Sequence, residues 1–382
     1  MKFVLYILIF ISFITANNNH PIILIHGFLG WGRDEMPGYY YWGGRTDLEA
    51  LLQDSGHKVF SVSVGPISSN YDRAIEAYYQ IKGGQLDYGK HRSDSLGIIQ
   101  KPGGKYYSGL YPNWDEKNPI HIIGHSQGGQ TAKQLEVLLK EISDIEESFL
   151  LSNNLNGWIK SITTISTPHN GTTLVPIMLN IFPFLLDMAP WVAGIDINAF
   201  KEIYNFDLEH WGIDRGPKES LLKYYDRIGR SPLANSKNLC SWDLSPEGAH
   251  EFNKKYENDQ NVYYFSFATS ATSQKKYKPF HKPNKNMSLH LRPMSRAMGN
   301  YINSPDSTWF ENDGICNTVS MDGPSNQKII LYNAPPIKGV WQKMQHINMD
   351  HQAIIGHMGS KTSNQNIVVL YNKHIELLKS LH

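Results

Sequence analysis

The 382-residue chain holds only two cysteines, Cys240 and Cys316. Two cysteines make no disulfide scaffold, so a hydrophobic core must hold the fold, and sequence alone leaves open whether the two meet. Charged residues are also few, 19% of the chain, and the formal net charge is +1. No basic stripe and no long block of like charge occurs, which argues against a nucleic-acid partner. Beyond the N-terminus no apolar window is long enough to span a bilayer. Internal repeats, low-complexity linkers and composition shifts that would mark a second domain are absent as well. What is present is 41% hydrophobic and 12% aromatic content, enough for a sizeable core.

Met1-Lys2, an apolar run over residues 3–14, and Thr15-Ala16 before Asn17-Asn18-Asn19 read as a secretory signal peptide spanning residues 1–16. An uncleaved anchor is the alternative. The expectation is a secreted or lumenal protein whose mature domain is residues 17–382. In that setting the sequons at Asn170 and Asn286 are candidate glycosylation sites. Short apolar runs at 21–25, 58–64, 120–123, 158–165, 262–267 and 329–332 alternate with helix-like segments. Helical spacing is clear over 72–81 and 131–142, where Ala132, Leu135, Leu139 and Ile142 share one face. This alternation predicts a mostly parallel sheet covered by helices on both faces, with ligand groups at the carboxyl ends of its strands.

At one such end stands Gly124-His125-Ser126-Gln127-Gly128, between the run at 120–123 and a helix expected from about Gln130. A Gly-x-Ser-x-Gly string alone recurs by chance, and its bland reading is a tight turn. Between a buried strand and a helix it has a mechanical sense: the turn lifts the Ser126 hydroxyl from the sheet's edge. Gly124, Gly128 and Gly129 let strand and helix approach closely. A serine hydroxyl needs a base to act as a nucleophile. The oxyanion formed on attack needs donors, and the natural ones are the backbone N–H groups of Gln127 and of Phe28, in His26-Gly27-Phe28 after the first strand. An acid and a histidine should follow the serine in chain order. On position alone Asp306, Asp313 and Asp322 compete for the acid, and His346, His351 and His357 for the base.

The strings HGFLGWGRDEM, YWGG, VGPISSNYDRAIEAY, GGQLDYG, HIIGHSQGGQTA, TTISTPHNGTTLV, WDLSPEGA, NDGICNTVSM and GVWQKM occur in this order, followed by NMDHQAIIG. Together they resemble the large secreted true lipases of the thermophilic-bacillus and staphylococcal type, over residues 21 to 356. The resemblance implies an α/β-hydrolase fold and a Ser126–Asp313–His351 triad, with the Asn-Asp-Gly string selecting Asp313 and the Met-Asp-His string selecting His351. It implies a lid over residues 174–200 and hydrolysis of triacylglycerol esters at an oil–water or membrane interface, with no stable protein partner. A phospholipase or general carboxylesterase is the alternative activity. A non-catalytic lipid-binding protein on the same scaffold is the alternative of a different class. The resemblance further implies a zinc ion held by two aspartates and two histidines. Asp72 and Asp243 match the aspartates, and His91 matches the first histidine with a one-residue shift. The second histidine falls near Gly97 or Ile98, where none stands, leaving Asp94 or water to complete the set. The calcium site such proteins carry after the triad histidine is expected to be lost, because Ala353 and Met358 replace its carboxylates.

Overall fold

In the structure, a computed structural model, residues 18–178, 203–357 and 361–382 are described. The expected signal peptide, and the expected lid beyond Met178, lie outside the described residues.

Seven strands form one sheet: β1 (Ile22–Ile25), β2 (Val59–Val62), β3 (Ile120–His125), β4 (Ile159–Ile165), β5 (Tyr263–Phe267), β6 (Ile329–Leu331) and β7 (Trp341–Lys343). Their spatial order is β6-β7-β5-β4-β3-β1-β2, and every neighbouring pair is parallel. Six of the seven coincide with the apolar runs of the sequence. β7 is three residues long and too short to show a pattern; pairing with Tyr264–Ser266 of β5 defines it.

The continuity of those runs has a cause in the layering. Ile22 and Leu24 pack on one face with Leu48 and Leu52 of α1 (Leu48–Asp54) and with Ile367, Tyr371 and Ile375 of α4 (Lys361–Lys379). Ile23 and Ile25 pack on the other with Ala74, Ile75 and Tyr78 of α2 (Asn70–Lys82) and Leu135, Leu138 and Leu139 of α3 (Gln127–Lys140). A strand buried on both faces has no position left for a polar alternate. Ser69 caps α2 by accepting from the Asp72 amide at 3.2 Å, and α2 ends at Gly83 with φ 95°. Two helix boundaries differ from the sequence reading. α3 begins at Gln127, before the expected Gln130, and ends at Lys140, so that Ile142 lies beyond it and is 55% exposed. The face shared by Ala132, Leu135 and Leu139 is buried; Ile142 does not belong to it.

Register decides where the chemistry sits. Ile25 lies opposite Val62 on one side and Gly124 on the other, and His125 lies opposite Ile165. The segments that leave β1, β3, β4 and β5 therefore emerge side by side at one rim of the sheet. Among the described residues no helix is long and apolar enough to cross a membrane. Cys240 and Cys316 are both free and buried.

Candidate active site

Ser126 follows the last residue of β3 with φ 56° and ψ −129°, a strained conformation for a residue with a side chain. Packing enforces it. A Cβ on Gly124 would stand 2.4 Å from the Gly128 carbonyl carbon, and one on Gly128 would stand 2.1 Å from the Ile25 oxygen. Strand and helix can meet at this turn only without those side chains. The Ser126 amide donates to the Ile165 carbonyl at 2.8 Å, tying the turn to β4.

The segment after β1 is pressed against the serine: a Cβ on Gly27 would meet Ser126 Cβ at 2.6 Å. It is held by two groups the sequence did not single out. Fully buried Arg73 donates to the His26 carbonyl, to the Gly65 carbonyl at 2.8 Å and to Thr131 Oγ1 at 2.9 Å. Tyr41 Oη accepts from the Gly27 amide at 2.8 Å and lies 2.6 Å from His125 Nδ1. His125 Nε2 in turn lies 2.9 Å from the His351 carbonyl. A carbonyl only accepts, so His125 carries its proton on Nε2 and takes the Tyr41 hydroxyl proton at Nδ1. Burial, and then the neighbouring His351, push His125 well below the ordinary histidine range, which keeps it neutral. The loops after β1 and β3 are thus linked to the loop bearing His351 by one chain of hydrogen bonds. Among the described residues neither the Phe28 nor the Gln127 amide has an acceptor.

His351 Nδ1 lies 2.7 Å from Asp313 Oδ2. The same oxygen accepts from Thr269 Oγ1 at 2.8 Å, and Thr269 is itself in contact with Ser166 Oγ at 2.7 Å. Asp313 Oδ1 accepts from the amides of Ile315 and Cys316 at 3.0 and 2.8 Å. The carboxylate therefore has four donors and one orientation. The His351 amide donates to the Asp313 carbonyl at 3.0 Å. Asp350 secures the loop by accepting from Ser288 N and Oγ and from the amides of Gln352 and Ala353. Three of the competing candidates have partners elsewhere: Asp306 caps Thr308, Asp322 pairs with Lys343, and His357 Nε2 meets the Tyr41 carbonyl.

Ser126, Phe28 and His351 line one cavity of about 150 Å³, whose remaining wall is largely apolar, with Leu174, Met178, Ile228, Leu239 and Met294 among its side chains. The Cys316 thiol stands with Ser126 on the cavity wall. Asp313, Cys316 and His351 bring three atoms able to bind a metal within 4.8 Å of one another, the one such group among the described residues.

The expected zinc ligands do not come together. Asp72 is fully buried, but His91 is exposed at the surface. Asp243 accepts from the Asn70 amide at 2.5 Å. The positive charge beside Asp72 is a side chain: Arg92 Nη2 lies 2.7 Å from Asp72 Oδ1, and His210 Nε2 lies 3.4 Å from Oδ2. Burial alone would raise the Asp72 carboxyl; Arg92 and His210 hold it below its ordinary value. Asp72, His91 and Asp243, the residues expected to hold zinc, do not bring three ligand atoms close enough together for one ion.

Comparison with known proteins agrees with this architecture. The sequence model of the family described as "Lipase-like, C-terminal domain" matches residues 18–380. A lipase of Staphylococcus epidermidis is 34% identical over 360 residues, 90% of this chain and 51% of that protein; the chain spans about half the length of the curated relatives it matches. The structure of EstA from Clostridium botulinum superposes with a TM-score of 0.87 at 37% identity, covering 96% of this chain and 88% of that one. Staphylococcus hyicus lipase superposes with a TM-score of 0.81 at 31% identity, covering 96% and 97%. The parallel sheet with its two helical layers is the α/β-hydrolase arrangement shared with these two structures, and the chain belongs to the lipase-like C-terminal-domain family.

Proposed function

We propose that the protein is a secreted serine hydrolase that cleaves carboxylic esters of lipids, triacylglycerols foremost, through Ser126, His351 and Asp313. The observation that carries this reading is the 2.7 Å contact of His351 with a fully hydrogen-bonded Asp313, on the wall of the same apolar cavity as the strained Ser126. His351 takes the Ser126 proton as Oγ attacks the ester carbonyl. The oxyanion is received by the amides of Phe28 and Gln127, which have no acceptor among the described residues. Collapse expels the alcohol, protonated by His351, and leaves an acyl-serine that water clears by the same steps. Asp313 fixes the tautomer of His351 and stabilises its cationic form; Thr269 positions Asp313. The apolar wall receives the acyl chain, and the segment 174–200, whose first turn contributes Leu174 and Met178 to that wall, is the lid.

Purified mature protein assayed on chromogenic esters of short and long acyl chain, and on emulsified triacylglycerol, tests the reading. Long-chain and emulsified substrates should be preferred, and Ser126→Ala should lose roughly 10⁴-fold or more in kcat. Equal rates for wild type and Ser126→Ala would overturn it. A confinement of activity to short soluble esters would favour the general carboxylesterase.

A further inference from the structure

Cys316 lines this site, and ester hydrolysis leaves its thiol unused. Its side chain is fully buried, contacts Ser126 and lines the cavity. Its position relative to Asp313 is fixed by its own amide, which donates to Asp313 Oδ1 at 2.8 Å. Asp313 and His351 are locked at 2.7 Å. A thiol, a carboxylate and an imidazole are thus held together, one ligand atom from each within 4.8 Å of the others, and an ion would take the place of one of the four donors on the carboxylate.

We propose that Asp313, Cys316 and His351 form an inhibitory site for a thiophilic divalent cation of the zinc or cadmium class; the inhibition, though not the binding, rests on the hydrolase reading above. One sulfur, one nitrogen and one oxygen are three of the four ligands such an ion takes, and the cavity side is open to water as the fourth. On binding, the thiol releases its proton to solvent and the thiolate bonds the ion; nothing is oxidised. Thiolate and carboxylate together cancel the two positive charges, so binding takes the buried site from one uncompensated negative charge to a neutral complex. Burial, and then Asp313, hold the free thiol well above its ordinary range, so without an ion Cys316 stays protonated and unreactive. The loss of activity follows from the ring. A neutral imidazole has one nitrogen lone pair, and whichever nitrogen binds the ion, none remains to take the Ser126 proton. Calcium and magnesium prefer oxygen ligands and would not compete for this set.

The test titrates zinc or cadmium chloride against the full mature protein in chelator-free buffer. It reads two signals: activity on a soluble ester relative to each variant's own metal-free rate, and the near-ultraviolet absorbance of a cadmium–thiolate bond without substrate. Wild type should lose activity, recover it with EDTA, and show the absorbance. Cys316→Val, and Cys316→Ala as a second replacement, should need roughly tenfold or more metal for the same loss and show no absorbance. Cys240→Ser, which alters the other cysteine on the cavity wall, should behave as wild type. Equal inhibition of wild type and both Cys316 variants would overturn the site, as would absorbance that survives in them and vanishes in Cys240→Ser. Absorbance that depends on Cys316 in a protein inactive on every ester would uphold the ion site and overturn the hydrolase reading alone.

Discussion

At the scale of single residues, the distinction that matters is between groups that react and groups that aim them. Asp313 has four donors, of which Thr269 Oγ1 is the one a conservative change removes. Thr269→Val keeps the shape and deletes a hydrogen bond to a charged acceptor, a loss of about 1.5–3 kcal/mol. The expected outcome is a fall of roughly ten- to a hundredfold in kcat with KM little changed, measured on a soluble ester after circular dichroism has established folding. A KM effect with unchanged kcat would remove Thr269 from its positioning role. Tyr41→Phe makes a different break. It strands the Gly27 amide and His125 Nδ1, both buried, and should cost roughly 1–3 kcal/mol in denaturant unfolding. Neither residue was legible in the sequence. Threonines and tyrosines are common, and only the meeting of strands remote in sequence gives Thr269 and Tyr41 their partners. Asp313 itself was legible only through its motif, since Asp306 and Asp322 stand in similar turns.

At the scale of elements, the strand–turn–helix around Ser126 was the most readable part of the chain, because a short apolar run, three glycines and helical spacing all fall within 20 residues. The glycines are also the most restrictive positions. Gly128→Ala would drive a methyl to 2.1 Å from the Ile25 carbonyl, which is backbone and cannot step aside. It should abolish activity and lower the melting temperature together; a stable, active Gly128→Ala protein would contradict the packing described. Leu135, fully buried on the inner face of α3, is a pure core position. Leu135→Ala should cost about 2–5 kcal/mol without changing kcat of the folded fraction. The helix boundaries were harder to read: glycines at 128 and 129 hide the first turn from any propensity argument, and Ile142 continues the apolar spacing after the backbone has left the helix.

At the scale of the whole molecule, charges brought together from distant segments set the response to conditions. Arg92 pairs with fully buried Asp72 across two helical segments, and removing Arg92 leaves that carboxylate with His210 alone. Arg92→Ala should therefore destabilise the fold by about 3–5 kcal/mol, whereas EDTA should leave the melting temperature of wild type unchanged; a large EDTA effect would restore the zinc expectation. Asp207 offers a pH signature. Desolvation, and then Glu35 and Glu209, raise its carboxyl to about 7. Its folded pKa lies above its unfolded value, so its contribution is present in acid and is lost as pH rises through about 7. Asp207→Asn should gain melting temperature over wild type at pH 8 and little at pH 4, and asparagine suits the left-handed φ of 52° at that position. An advantage independent of pH would refute the assignment.

The sequence by itself determined the sheet, the serine turn and the order of the chemical groups, because these rest on local patterns: apolar continuity, glycine placement and short motifs. It did not determine what stands beside what. That Cys316 stands with Ser126 on one cavity wall, that Arg92 answers Asp72, and that Tyr41 and His125 join two loops of the candidate site were decided only when strand register brought distant segments to one rim. Contacts of that kind depend on separation in space, and a linear pattern carries no information about it until the chain has closed.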